Sequence, residues 1–511
     1  MASGDENGSS LLTPLLHLQR FFIPALLALV AWAVWRLVRR KDIAVGLALY
    51  LGLVIVVDGF YNTGIYLPGV PTGSIRYSEL CALFLLMYRP PAAIRQRPVQ
   101  DAFDLPLEKW ELFVGAAARL VPHRVTHLVG LYFALLFLSA LRSPMTAGIF
   151  EFRMIVIPQI VAFLVTKRGF GSQDEYRRFF LGLTALVLVI GLFVFWDAFF
   201  DRWLLKSNSL LTGDYSVPRQ QGRYGGLFIN PNYLGAFVVL VFPAAFICAF
   251  NQRRSWPRLY AMTGLLALVF CLVETQSRGP LLAFAIALAV LVLGPIKGLS
   301  RTRRITHLAM FLMIFVVFMP GFYEHSIKRF DSIDEETTTV ARSRQSVWNY
   351  TAKIIEDHPV RGIGFGEQRF VAAMNAYGFK EQYAEQSLDN PHNSYLQMAV
   401  YGGIPALAAF LLANVALLAK AVRVCMRGIT NATYVYGLAV GITGFLFSIY
   451  PDMHMFTVTV APVYWVFFGL LLALTRKTTG HDVEAEPGAG RQDRIRGPAT
   501  SPVSNHQVLQ R

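Results

Sequence analysis

The chain has 511 residues, of which 54% are hydrophobic, 13% aromatic and only 15% charged, well short of the roughly 25% charge of a soluble domain. Mean hydropathy is +0.45, so much of the chain does not meet water. The net charge of +15 sits in short clusters between apolar runs, which argues against a nucleic-acid partner and for the positive bias of cytoplasmic loops in a membrane protein.

A helix needs roughly 20 apolar residues to cross the hydrocarbon core, and in lipid its backbone must satisfy its own hydrogen bonds. Such runs predict spans near 18–38, 43–57, 75–88, 125–141, 148–166, 179–199, 232–250, 258–274, 280–296, 305–320, 394–419, 433–449 and 455–475. The first follows a polar start and lacks a signal peptide's basic region and cleavage site. If it only lies on the membrane, about twelve spans remain and the phase of the others is unchanged. The expected fold is all-α, polytopic, with about 12–13 transmembrane helices and one large, partly helical outward loop.

Every second loop is basic, including Arg39 to Lys41, Lys167 and Arg168, Arg253 and Arg254, Arg303 and Arg304, Arg423 and Arg427, and Arg476 and Lys477. The alternating loops 58–74, 142–147, 450–454 and 321–393 are poorer in Lys and Arg. Basic loops go to the cytoplasm, so the long loop faces outward. The chain then divides into a polar segment 1–17, spans and short loops 18–320, the large loop 321–393, C-terminal spans 394–475 and a tail 476–511. The tail's Gly, Pro, Ser, Gln and charge read as disorder on the cytoplasmic side. Cys81, Cys248, Cys271 and Cys425 fall outside the outward loops with no metal spacing, so neither a disulfide nor a metal site is expected.

Three outward features could carry chemistry. The first is Asp389 to Leu396, where the long loop rejoins the membrane. His392 there could act as a base near neutral pH, or Asn393 and Ser394 could simply cap the next helix and leave it exposed. The second is Arg342-Ser343-Arg344, at the start of an amphipathic segment, Arg342 to Asp357, whose Val347, Tyr350, Ile354 and Ile355 follow helical spacing. Arginines near a helix N-terminus oppose its dipole unless they hold a phosphate or pair with Asp334, Glu335 or Glu336. Arg361 and Arg369 are further candidates. The third is Glu274 to Pro280, where Arg278 could serve a site or pair with Glu274. Gly362 to Gly366 lacks the preceding strand of a dinucleotide loop. Asn230-Pro231-Asn232 reads as a turn and helix start. Asp58, Asp452 and His454 mark the outward ends of spans, as cavity liners or caps.

Taken together, these residues resemble the O-antigen ligase and polymerase superfamily of bacterial envelope glycosyltransferases. Gly226 to Leu234 (GLFINPNYL) is similar to its G-x-F-x-N-P-N-x-L segment, and Ser277-Arg278-Gly279 to its S-R-G turn. Arg342 or Arg344 followed by Trp348 resembles its loop-helix R…W, Pro359 to Gly366 its P-x-x-G-x-G-x-G turn, and His392 to Leu396 with Gly402-Gly403 its H-N-x-Y-L…G-G. The resemblance covers roughly residues 220 to 420.

The resemblance implies a multi-pass protein of the bacterial inner membrane with its active site at the periplasmic face. The implied donor is an undecaprenyl-diphosphate-linked glycan. The acceptor is a second lipid-linked repeat unit in polymerases, or lipid A–core in ligases, with no metal and no nucleotide-sugar cofactor. A flippase and envelope assembly partners are implied as well. His392 would be the general base, with Arg278 and Arg342 or Arg344 on the diphosphate. Arg223, Asn230, Asn232, Asn393, Tyr395 and Arg361 would bind substrate. Polymerisation of an exported polysaccharide is the expected activity, with ligation as the alternative. A transporter would instead place ionisable residues near the midplane of two related halves, and an assembly partner would tolerate loss of His392 or Arg278.

Overall fold

A computed structural model of the protein describes, single positions aside, residues 43–55, 64–66, 74–76, 125–200, 223–318, 333–383, 390–428 and 432–481. The first expected span, Asp58, most of 75–88 and the tail beyond His481 lie outside the described residues, while residues 476–481, expected in the tail, continue the last helix.

In chain order the helices are α1 (Ile43–Leu53), α2 (Val125–Leu141), α3 (Met145–Thr166), α4 (Gln173–Phe200), α5 (Pro231–Phe250), α6 (Ser255–Thr275), α7 (Arg278–Leu293) and α8 (Arg301–Phe318). The large loop carries α9 (Ile333–Asp357), α10 (Glu367–Ala376) and α11 (Phe379–Gln382). There follow α12 (Ser394–Gly402), α13 (Ile404–Arg427), α14 (Ala432–Ser448), a single 3-10 turn His454–Phe456, and α15 (Ala461–His481). Among the described residues five stretches are long and apolar enough to cross a membrane: Gly148–Thr166, Asp174–Phe199, Pro231–Phe250, Ser255–Thr275 and Ser394–Arg427. The protein is a polytopic, essentially all-helical membrane protein.

The helices start where local chemistry allows. Asn230 caps α5 by accepting from Asn232 N at 2.9 Å, and Pro231 occupies the first turn, where its missing N–H costs nothing. Apolar on nearly every face, α5 is buried on nearly every face and forms the centre of the bundle. It packs on α6, α7 and α14. Gly441 lets α14 touch it, since a Cβ there would meet the Leu240 carbonyl. Around this core α15 packs on α3, α13 on α2, and α1 and α6 on α4. Polar pairs stitch the interior: Trp465 Nε1 donates to Gln159 Oε1 at 2.8 Å and Tyr464 Oη to Asn414 Oδ1 at 2.6 Å.

The loops sort by end, as the charge alternation predicts. At one end Lys297 N donates to Cys425 O at 2.9 Å and Asn251 Nδ2 to Thr433 Oγ1 at 3.2 Å. At the other, Tyr224, Glu274, Ser394 and Asp452 are joined by backbone hydrogen bonds.

Several expectations change in detail. Gly64–Tyr66 and Ser74–Arg76 pair as a short antiparallel ladder, where a loop running into a span was expected. The 394–419 span is two helices broken at Gly403, whose φ of 80° is outside the helical region. The last span begins at Ala461, because residues 455–460 belong to the turn before it. The loop helix starts at Ile333, so Arg342 and Arg344 sit in its middle and not at its N-terminus. The dipole argument for a phosphate at that N-terminus therefore fails. The acidic residues Asp334, Glu335 and Glu336 occupy that first turn, as the dipole prefers. The Thr337-Thr338-Thr339 run, a poor helix former, hid this start.

Candidate active site

The site is built where α12 begins. Asn390 Oδ1 accepts from His392 N at 2.9 Å, which folds the chain into a tight turn. Within it His392 takes a φ of +46°, a left-handed backbone that non-glycine residues adopt at some cost. Asn393 then caps α12, accepting from Tyr395 N at 3.0 Å and Leu396 N at 3.1 Å. Asn393 thus caps α12, as the capping reading of this segment has it, and the turn leaves the imidazole of His392 exposed. Ser394 locks the turn to the α14–α15 loop, donating from N to Ile449 O and Asp452 O at 3.0 Å and from Oγ to Asp452 O at 2.8 Å.

Asp452 is the hub. Its side chain is 7% exposed and its Oδ1 lies 3.9 Å from His392 Nδ1, on an imidazole that is 42% exposed. This is ion-pair range, longer than a hydrogen bond. Oδ1 also accepts from Met453 N at 2.8 Å, and Oδ2 accepts from Asn232 Nδ2 at 2.7 Å. Asn232 Oδ1 in turn accepts from Arg223 Nη2 at 2.6 Å and Ser277 Oγ at 2.8 Å. Arg223 also donates to Thr275 O at 3.1 Å and Ser277 Oγ at 2.8 Å. Three motifs far apart in sequence are thus joined in one network: Asn232 and His392 meet at the Asp452 carboxylate, and Arg223 and Ser277 reach it through Asn232.

Next to this hub His454 is wholly buried, between the rings of Tyr233 at 5.7 Å and Phe445 at 6.3 Å. Among the described residues neither of its ring nitrogens has a hydrogen-bond partner. Burial pushes this imidazole below its usual range, Asp452 pulls it up, and Arg344 pushes it down again. Burial pushes the Asp452 carboxyl up, but the His454 and His392 imidazoles and the Met453 N–H outweigh it and hold it well below the carboxylate range. The pair rests as carboxylate and neutral imidazole, because Asp452 uses its hydrogen bonds as an anion while His454 has nothing to accept a second proton's bond.

Arg344 is therefore the loop-helix arginine whose charge reaches the site. Trp348 ties α9 to the His392 turn, donating from Nε1 to Pro391 O at 2.8 Å.

Arg278, the first residue of α7, stands at a cavity of about 610 Å³ between α7, α12 and α14. Leu282, Ile286, Tyr395, Phe447 and Tyr450 make its walls almost wholly apolar. Leu282, Phe447 and Tyr450 are themselves exposed, so the groove opens sideways out of the bundle. Tyr395 is fixed in it by donating to Leu446 O at 2.7 Å. Asn230 is confined to its cap. Arg361 is not beside His392: its turn packs on the other end of α12, where Ile363 N donates to Val400 O at 2.9 Å.

Sequence reading had Asp452 and His454 only as span-end residues and left Ser277 among the motif residues without a role. The signal for Asp452 was a lone carboxylate at the outer boundary of a span, where charge is expensive.

A family model described as O-antigen ligase matches residues 263–411. The matched stretch contains Arg278, the loop helix, the glycine turn and His392, while Arg223, Asn232 and Asp452 come to it through the fold. The match supports the O-antigen ligase superfamily as the class of this chain, and with it glycosyl transfer of the ligase and polymerase type. Lipid-linked glycan and acceptor substrates go with that class. No curated protein matches the chain.

Proposed function

We propose that this protein transfers a glycan from undecaprenyl diphosphate to an acceptor sugar hydroxyl at the periplasmic face of the inner membrane, polymerising surface-polysaccharide repeat units. The network that links Arg223 and Ser277 through Asn232 to Asp452, with His392 at the same carboxylate, and the apolar groove lined by the neighbouring Arg278, Tyr395 and Pro451, carry this reading.

The polyprenyl chain lies in the groove, where apolar walls replace lipid, and its diphosphate meets Arg278 and Arg344. The acceptor oxygen bonds to the anomeric carbon as the bond from that carbon to the diphosphate oxygen breaks. His392 takes the acceptor proton, and Asp452 stabilises the resulting imidazolium. The electron pair leaves on undecaprenyl diphosphate, whose charge the guanidinium groups offset. No nucleotide-sugar and no metal enter this scheme. One displacement inverts the anomeric centre. A flippase supplies the donor.

The test is reconstitution in liposomes with an undecaprenyl-diphosphate-linked repeat unit as both donor and acceptor. A ladder of lengthened lipid-linked glycan is expected, and His392→Ala should lose it by at least about 100-fold. Transfer appearing only on addition of lipid A–core would make the protein a ligase, the reading closest to the description of the matching family. No transfer to either acceptor by well-folded protein overturns the proposal.

A further inference from the structure

Away from His392, three arginines gather at the opposite end of α12. The turn at residues 359–366 is clamped there: Ile404 N donates to Pro359 O at 2.7 Å and Ser143 Oγ to Phe365 O at 2.6 Å. Gly362, Gly364 and Gly366 hold φ values of 60°, 109° and 120°, so the turn depends on them. Arg142, just past the end of α2, donates from Nη2 to Arg361 O, and Arg369 Nη2 donates to Arg142 O at 3.2 Å. All three side chains are exposed.

Among the described residues no carboxylate pairs with any of the three. Glu151, packed against Gly366, already accepts from Glu367 N at 2.9 Å. Partial burial and then the charges of Arg361 and Arg369 push the Arg142 guanidinium down, which marks unrelieved repulsion. The Arg142 and Arg369 guanidinium forks, each fixed by one bond to a backbone carbonyl, and the exposed Arg361 side chain beside them have spare N–H donors that match the oxygen pairs of a carboxylate or phosphate.

We propose that Arg142, Arg361 and Arg369 form a binding subsite for an acidic sugar of the acceptor glycan, bearing a carboxylate or a phosphate monoester. The nine residues of α12 separate this cluster from His392 by about 13 Å at roughly 1.5 Å per residue, the reach of a short oligosaccharide. An acceptor held there by its charge presents its terminal hydroxyl to His392. The proposal takes its meaning from the glycosyl-transfer reading, but its test needs no donor and no turnover.

The experiment is calorimetric binding to the full chain in nanodiscs of zwitterionic lipid. The probes are maltotetraose, tetragalacturonate and maltotetraose carrying a 6-phosphate. At least one acidic probe should bind 10-fold or more tightly than the neutral one, and which one does identifies the acid. Arg142→Gln/Arg361→Gln/Arg369→Gln should abolish that preference. Arg361→Gln alone, which leaves the backbone bonds of the turn intact, should reduce it three-fold or more even if the triple variant folds poorly. The readout is binding without donor or turnover, so a failed transfer assay and a failed subsite are told apart. Equal affinity for all three probes, or full preference in the Arg361→Gln protein, overturns the subsite. So does an effect of the variants confined to nanodiscs containing phosphatidylglycerol, which would make the cluster a lipid contact.

Discussion

His392 sits on a left-handed backbone with Asp452 behind it, and each residue explains the other. The strained turn holds the imidazole at the carboxylate, and Asn390 and Ser394 hold the turn. Asp452→Asn should therefore cost more than a charge. An amide oriented to serve Met453 N turns its NH2 on Asn232 Nδ2, a donor facing a donor. Transfer should fall at least about 100-fold, roughly 2.7 kcal/mol of barrier at 1.36 kcal/mol per decade, with the fold retained in a thermal melt. His454 makes a separate, pH-dependent contribution. Its imidazole is held neutral, below the usual range, in the folded chain. Between that lowered value and the unfolded value near 6.5, the unfolded chain binds more protons, so stability falls as pH drops through this window. His454→Phe, set between the rings of Tyr233 and Phe445, should flatten that acid slope in melts taken at pH 7 and pH 5. An unchanged slope would assign it to other groups.

At the scale of elements, the Trp348 indole ties the loop helix α9 to the His392 turn. Trp348 bonds to the Pro391 carbonyl and packs on Tyr450 with ring centres 5.4 Å apart. Trp348→Ala should loosen α9 and with it Arg344, lowering turnover about 10- to 100-fold, since small misplacements of a positioned group are costly, while the spans stay folded. Activity near that of the parent would mean α9 is held by its other contacts. The periodicity of Val347, Tyr350, Ile354 and Ile355 was legible in sequence, and Val347 and Ile354 are buried as it requires. The helix's true start was not legible, because helices begin where capping and packing permit, and the threonine run obscured that.

For the whole molecule, the proposed function makes the groove beside Arg278 the seat of the donor's lipid chain and so predicts a length requirement. Ile286→Trp should fill its interior and raise the KM for a long-chain polyprenyl donor about 10-fold, leaving a short-chain donor unaffected. Equal loss for both chain lengths would place the lipid elsewhere. The groove exists only because α7, α12 and α14 pack with a gap between them.

What the sequence determined alone follows from local chemistry. Hydrophobic length sets the spans, since each run settles its own balance between lipid and water. Charge alternation sets which loops share an end, and the short motifs mark His392, Arg278, Arg223 and Asn232. Only the tertiary structure decided which of these meet. Asp452 lies 60 residues beyond His392 and 220 beyond Asn232, and a carboxylate acquires such partners only when separate helices pack. The same packing put Arg344 toward the site from the middle of α9 and set Arg361 at the far end of α12. A residue's partners depend on where whole helices come to rest, and spacing along the chain does not carry that information.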